Sequence, residues 1–140
     1  MISTPVTYND TIKEKVDSFN SIAHSEKRGT YWNNKDDLEL EIVKKHIKEH
    51  YIHNQNYTCP YCQQRIVVEH NAVWDIEHII PKSSHPQFLF EPQNLCVSCK
   101  DCNGEKLNKN VLVRPNAVRF PRDSTGYIFV HPHFDKYNDH

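Results

Sequence analysis

Two C-x-x-C pairs constrain this chain more than any other feature. The first is Cys59/Cys62, and the second is drawn from Cys96, Cys99 and Cys102. In such a pair both sulfurs meet one ion from a single turn. A second pair some tens of residues away closes the chain around a tetrahedral zinc. Cys96, Cys99 and Cys102 are spaced three apart, so two overlapping pairs are available. Cys99 with Cys102 is the better choice, because Asn103, Gly104 and Lys106 follow as a loop-to-helix junction would. Cys96 then falls in a strand as a small buried hydrophobe. The cysteine count is five, an odd number. The first ten residues lack a charged-then-apolar leader, so a reducing, cytoplasmic setting is expected and metal is favoured over disulfides. Four thiolates leave no open coordination position, which makes this zinc structural. A chain of 140 residues with a hydrophobic share of 37% has a modest core, and a metal compensates for that by drawing its ligand-bearing segments together. No stretch approaches the roughly 20 apolar residues needed to cross a bilayer, so no membrane partner is expected.

Periodicity divides the rest into an α+β arrangement. A helix is expected from Thr11 to Ala23, with Thr11 and Glu14 at capping-box spacing and Ile12, Val16, Phe19 and Ala23 on one face. A second follows a candidate cap at Asn34, Asp36 or Asp37, with Leu40, Val43, Ile47 and Tyr51 as its apolar stripe and Lys44, Lys45, Lys48 and Glu49 in solvent. Strands are expected at Ile66–Val68, Val73–Ile80, around Leu95–Val97 and at Gly126–Val130, with a helix from about Cys102 to Asn110. Three regions result: an N-terminal helical extension (1–56), a zinc-centred core (57–110), and a C-terminal strand and tail packed on that core (111–140).

The residues between and after the cysteine pairs carry the chemistry. Asp75-Ile76-Glu77-His78-Ile79-Ile80-Pro81-Lys82-Ser83 is followed by Asn94-Leu95 and then by Cys99-x-x-Cys102-Asn103-x-x-Lys106. Over residues 57–109 this closely resembles the HNH endonuclease family, with every motif position filled in order. The resemblance implies a small ββα-metal, treble-clef-like fold stabilised by zinc, with the N-terminal helices added to it. It implies that His78 is a general base, that Glu77 and Asn103 hold a catalytic Mg²⁺ or Mn²⁺, and that Asn94 holds the loop that positions the histidine. Lys106, and Lys82 after the histidine, are the candidate substrate contacts. Many family members carry Asp where this chain has Glu77. Asp75 shares a strand face with Glu77 and is read as a solvated residue, with metal assistance as the alternative. Adjacent Glu77 and His78 should point to opposite faces of a regular strand, so both can serve one site only if the backbone distorts near Pro81 or the metal sits at the strand's edge.

The implied activity is metal-assisted hydrolysis of phosphodiester bonds in DNA, or RNA, leaving 5′-phosphate and 3′-hydroxyl ends. A net charge of -1 supplies no global basic field. The local run of Lys100, Lys106, Lys109, Arg114, Arg119 and Arg122 reads as a solvated face. Two other classes compete. One is a zinc-ribbon adaptor that binds nucleic acid or protein without catalysis. The other is a nuclease subunit that works only as a homodimer or with a partner, such as the ATPase paired with some HNH effectors of bacterial phage-defence and restriction systems. The histidines outside the motif need no role. His131-Pro132-His133-Phe134-Asp135 is read as an exposed tail, His85 as a loop residue, and His24, His46, His50, His53 and His70 as surface or helix-face residues.

Overall fold

A computed structural model describes residues 2–68, 73–106 and 108–135. Helices α1 (Asp10–Asn20) and α2 (Leu38–Asn54) precede strand β1 (Trp74–His78), strand β2 (Leu95–Cys99) and helix α3 (Lys100–Lys106). The order β1-β2-α3 is the expected strand, strand, helix around the cysteines. His70 and residue 107, in the expected last helix, lie outside the described residues.

Helix α1 starts one residue earlier than Thr11, because the cap is Asn9. Its Oδ1 accepts from the amides of Thr11 (3.0 Å) and Ile12 (3.2 Å), satisfying donors that a helix start leaves orphaned. The helix ends at Asn20, so Ala23 falls beyond it, while Ile12, Val16 and Phe19 are buried as the spacing requires. Helix α2 is capped by Asp37, whose carboxylate accepts from the Leu40 amide at 3.1 Å and also pairs with Lys15. Its stripe of Leu40, Val43, Ile47 and Tyr51 is fully buried.

The two strands pair antiparallel, from Trp74 opposite Cys99 to His78 opposite Leu95. A two-stranded ribbon leaves open edges, and part of the β2 edge is closed by a side chain. Gln55, just past α2, donates to the Val97 carbonyl and accepts from the Val97 amide, each at 2.9 Å. The amide group thus takes the place of a third strand for one residue. Tyr51 ties in the outlying segments: its hydroxyl donates to Pro92 O at 2.6 Å and accepts from the Val6 amide at 2.9 Å. No helix among the described residues is long and apolar enough to cross a membrane.

Two expected strands do not form. Near Ile66–Val68 there is only an isolated bridge, Thr58 to Arg65, and Val67 is 60% exposed. A β-branched run with one face in water and no ladder partner has nothing to hold it extended. Gly126–Val130 likewise meets the chain through a single bridge, Leu112 to Tyr127. The basic run is also not a uniform solvated face. Lys100 pairs with Asp75, Lys106 with Glu77 and Arg122 with Glu91.

The histidine-rich end is not an exposed tail. His131, His133 and Asp135 are buried: the His131 amide donates to Asp135 Oδ2 at 2.7 Å, and the His133 ring meets Leu95 O at 2.7 Å. Pro132 O accepts from the Ile2 amide at 2.7 Å, so both described ends of the chain meet. His85 is buried too, stacked on Phe88 with ring centroids 5.7 Å apart. Burial, with His133 beside it, lowers His131 from its ordinary 6.5 to about 3. Below pH 6.5 the unfolded chain takes up a proton at this residue that the folded one refuses, so stability present at neutral pH is lost as the pH falls. His131→Asn keeps an acceptor where Nδ1 receives the His133 amide. Between pH 7.5 and pH 5 the native chain should lose about 2 kcal/mol more than this variant. Urea midpoints at the two pH values check this, and parallel losses would refute it.

Candidate active site and metal-binding cluster

The Cys59-Pro60-Tyr61-Cys62 knuckle closes with the Cys59 amide on Gln64 O at 3.0 Å and the Gln63 amide on Cys59 O at 2.9 Å. Gln63 takes a left-handed φ of 64°, and its side chain donates to Cys59 O and Pro60 O, each at 3.2 Å. Those bonds offset a conformation that a side chain disfavours. Across from the knuckle, Cys99 ends β2 and Cys102 lies in the first turn of α3. The four sulfurs lie within 4.8 Å of one another, and Cys62 Sγ is 3.8 Å from Cys99 Sγ. Tetrahedral zinc with bonds near 2.3 Å places its sulfurs about 3.8 Å apart, so the donor set and its spacing fit that ion. Burial pushes the Cys59 and Cys102 thiols up from their ordinary range. All four can be thiolates together only with a cation among them. Cys96 stays apart from the cluster, fully buried in β2.

At the far end of β1, Glu77, His78, Lys82 and Asn103 line one cleft of 160 Å³, with Trp32 and Pro81. The regular ladder ends at His78 and the chain bends at Ile79 and Ile80. Glu77 and His78 both lie within the ladder, opposite Cys96 and Leu95, and they line one cleft because it sits at the edge where the ladder ends. Asn94 makes this bend. Its Oδ1 accepts from the Ile80 amide at 2.7 Å, its Nδ2 donates to Ile80 O and Phe88 O at 3.2 Å each, and its own carbonyl accepts from the Ile79 amide at 2.8 Å.

His78 is buried, and its Nε2 lies 3.1 Å from Leu89 O. A carbonyl only accepts, so Nε2 carries the proton and Nδ1 keeps the lone pair. Burial first, then the Lys82 charge, lowers His78 from 6.5 to about 3, which holds the ring neutral. Glu77 is shifted the other way. Burial raises its carboxyl from 4.5 to about 7, although Lys106 Nζ lies 3.3 Å from Oε1. Glu77 Oε2 is buried without a hydrogen-bond partner. A buried carboxylate oxygen left unpaired is a fitting donor for a hard cation, and the Asn103 amide in the same cleft adds a second oxygen. Asn103 Nδ2 donates to Asp75 Oδ2 at 3.2 Å. Asp75 is held by Lys100 at 2.6 Å instead of standing free in solvent. Lys106 also donates to His78 O at 3.2 Å, bracing the strand end.

Two contributors carry no motif signal. Leu89 acts through its backbone carbonyl, to which its side chain is irrelevant. Trp32 belongs to a turn before α2; it packs edge-on to His78, and Lys44 lies 4.9 Å over its ring. Lys44 is therefore half-buried where solvent was expected. Only the aromatic pair Tyr31-Trp32 in an otherwise polar stretch could have drawn attention to this turn.

Residues 59–109 match the family model described as HNH endonuclease. A curated protein of Bacillus thuringiensis, Septu protein PtuB, is 36% identical over 63 residues, 45% of this chain and 24% of that protein. The aligned part thus spans about a quarter of that relative's length. No solved structure matches the chain.

Proposed function

We propose, from the premise that residues 59–109 are an HNH endonuclease segment, that the chain hydrolyses phosphodiester bonds of DNA. The observation that carries this reading is the convergence of Glu77, His78, Lys82 and Asn103 on one cleft, in a chain that also gathers the four-cysteine cluster. Zinc at Cys59, Cys62, Cys99 and Cys102 is a staple with no open position and takes no part in the reaction. Glu77 and Asn103 would hold a Mg²⁺ or Mn²⁺ ion, which when bound offsets the charge that develops on the phosphate.

His78 is the base, and Nδ1 is its working atom because Nε2 is committed to Leu89 O. The low pKa leaves that nitrogen unprotonated at neutral pH but a weak base until negative charge stands beside it. A phosphodiester entering beside Lys82 brings negative charge that favours the imidazolium once the proton has arrived. Lys82 faces the substrate in this reading, while Lys106 supports Glu77 and the strand end. Asn94 holds the bend that presents His78.

Purified protein with Mg²⁺ or Mn²⁺ should nick or cut DNA. His78→Ala should reduce the rate at least about 100-fold while the chain stays folded. Cleavage retained in that variant would overturn the mechanism. A second reading, a nuclease subunit active only beside a partner protein or a second copy, is favoured by the net charge of -1, which gives a lone chain little long-range attraction for nucleic acid. The similarity to a Septu protein supports looking for that partner in the same kind of system. Cleavage that starts only when the partner is added selects this reading. Nucleic-acid binding with no cleavage under either condition selects an adaptor.

A further inference from the structure

We propose that Trp32, outside the family segment, is a positioning residue for His78, so that the turn at Gly29–Asn33 completes the nuclease site. The proposal rests on His78 being the base.

The His78 ring is tethered by a hydrogen bond from Nε2 to Leu89 O at 3.1 Å. With the ring also bonded to its own Cβ, this tether leaves rotation about the line from Cγ to Nε2 unrestrained. Trp32 supplies the missing restraint. The two rings meet with centroids 4.5 Å apart and planes at 87°, the edge-to-face geometry that aromatic pairs favour. An indole packed edge-to-face against the imidazole blocks that rotation and leaves Nδ1 one direction.

The wedge is itself held. Trp32 is 8% exposed, packs against Phe90 at 5.7 Å and carries Lys44 Nζ 4.9 Å over its ring. The turn is also pressed against the loop after His78. A Cβ added to Gly29 would lie 2.4 Å from Lys82 O and 2.8 Å from Lys82 C, an approach that only glycine permits. Trp32 and Lys82 line both the 160 Å³ cleft and a neighbouring groove of 930 Å³ along α2. Trp32 thus stands where the catalytic cleft opens onto the surface of the extension. A base misplaced by even an ångström loses much of its effect on rate.

The test uses the full zinc-loaded chain with Trp32→Leu, Trp32→Phe and Gly29→Ala. Trp32→Leu should lower kcat about 10- to 100-fold with KM within about twofold, and Trp32→Phe should recover most of that loss. Gly29→Ala, which displaces the turn without touching the indole, should fall like the leucine variant. A leucine variant with unchanged kcat, a phenylalanine variant as poor as leucine, or a loss confined to KM would each overturn the proposal. A second readout needs no cleavage. The His78 ring protons should show an indole ring-current shift in the NMR spectrum that vanishes in Trp32→Leu. If the native chain cuts nothing, the proposed function fails, yet this shift still decides the contact, and its absence in the native chain overturns the positioning role.

Discussion

Stripping the metal from Cys59, Cys62, Cys99 and Cys102 should abolish the cooperative unfolding transition of this protein. Structural zinc contributes about 10–16 kcal/mol of apparent binding free energy, against a total stability of about 5–15 kcal/mol for a typical domain. The four sulfurs join the knuckle after α2 to the β2–α3 junction, which β1 pairing alone does not secure. A chelator in excess should therefore remove the thermal transition, and restoring zinc should return it. Cys99→Ser should behave like the chelated protein. Cys96→Ala, in the same strand but away from the cluster, should lose only packing and keep one zinc per chain. Metal content measured on the two variants checks the choice between the overlapping cysteine pairs. Zinc lost from Cys96→Ala and kept in Cys99→Ser would reverse it.

Asn94→Ala should cost about 3 kcal/mol or more, large for a single polar side chain. The side chain is fully buried and makes three hydrogen bonds, to the Ile80 amide, Ile80 O and Phe88 O. Removing it leaves a buried donor and two carbonyls without these partners. Asn94→Asp should not restore the loss, because a carboxylate keeps the acceptor for the Ile80 amide but places negative charge against the two carbonyls. Since the bend at Ile79–Ile80 directly follows His78, cleavage should fall further than the folded fraction does. Urea denaturation and single-turnover rates on the same samples check this. A stability change below about 1 kcal/mol for Asn94→Ala would mean that the bend holds without its side chain.

Features governed by short-range chemistry are legible in the sequence. The α2 stripe follows from helical periodicity, and a cap among Asn34, Asp36 and Asp37 from the need to satisfy the first amides of a helix; the backbone path selected Asp37. The cysteine spacing announced a metal because two sulfurs three residues apart can meet one ion from one turn. The cap of α1 was misplaced by two residues, since Asn9 and Thr11 both offer a suitable oxygen and only the backbone path chose between them. The Ile66–Val68 and Gly126–Val130 runs have strand-like composition, but a strand needs a ladder partner, and partners are supplied by distant chain.

The histidines separate the two levels most sharply. His78 was identifiable from its neighbours in the motif, whereas His131 and His133 looked like a tail and are buried. Burial depends on what the rest of the chain lays over a residue, which local pattern does not encode.

For the cysteine pairs, the sequence by itself determined the donor types, the knuckle and the order of strand, strand and helix. Tertiary structure alone decided that the sulfurs of both pairs fall within 4.8 Å of one another, that Glu77 and His78 share a cleft, and that Trp32 lines it. The physical reason is the same in each case. Spacing along the chain fixes which atoms a turn can present, while the distance between residues tens of positions apart is set by how the core packs.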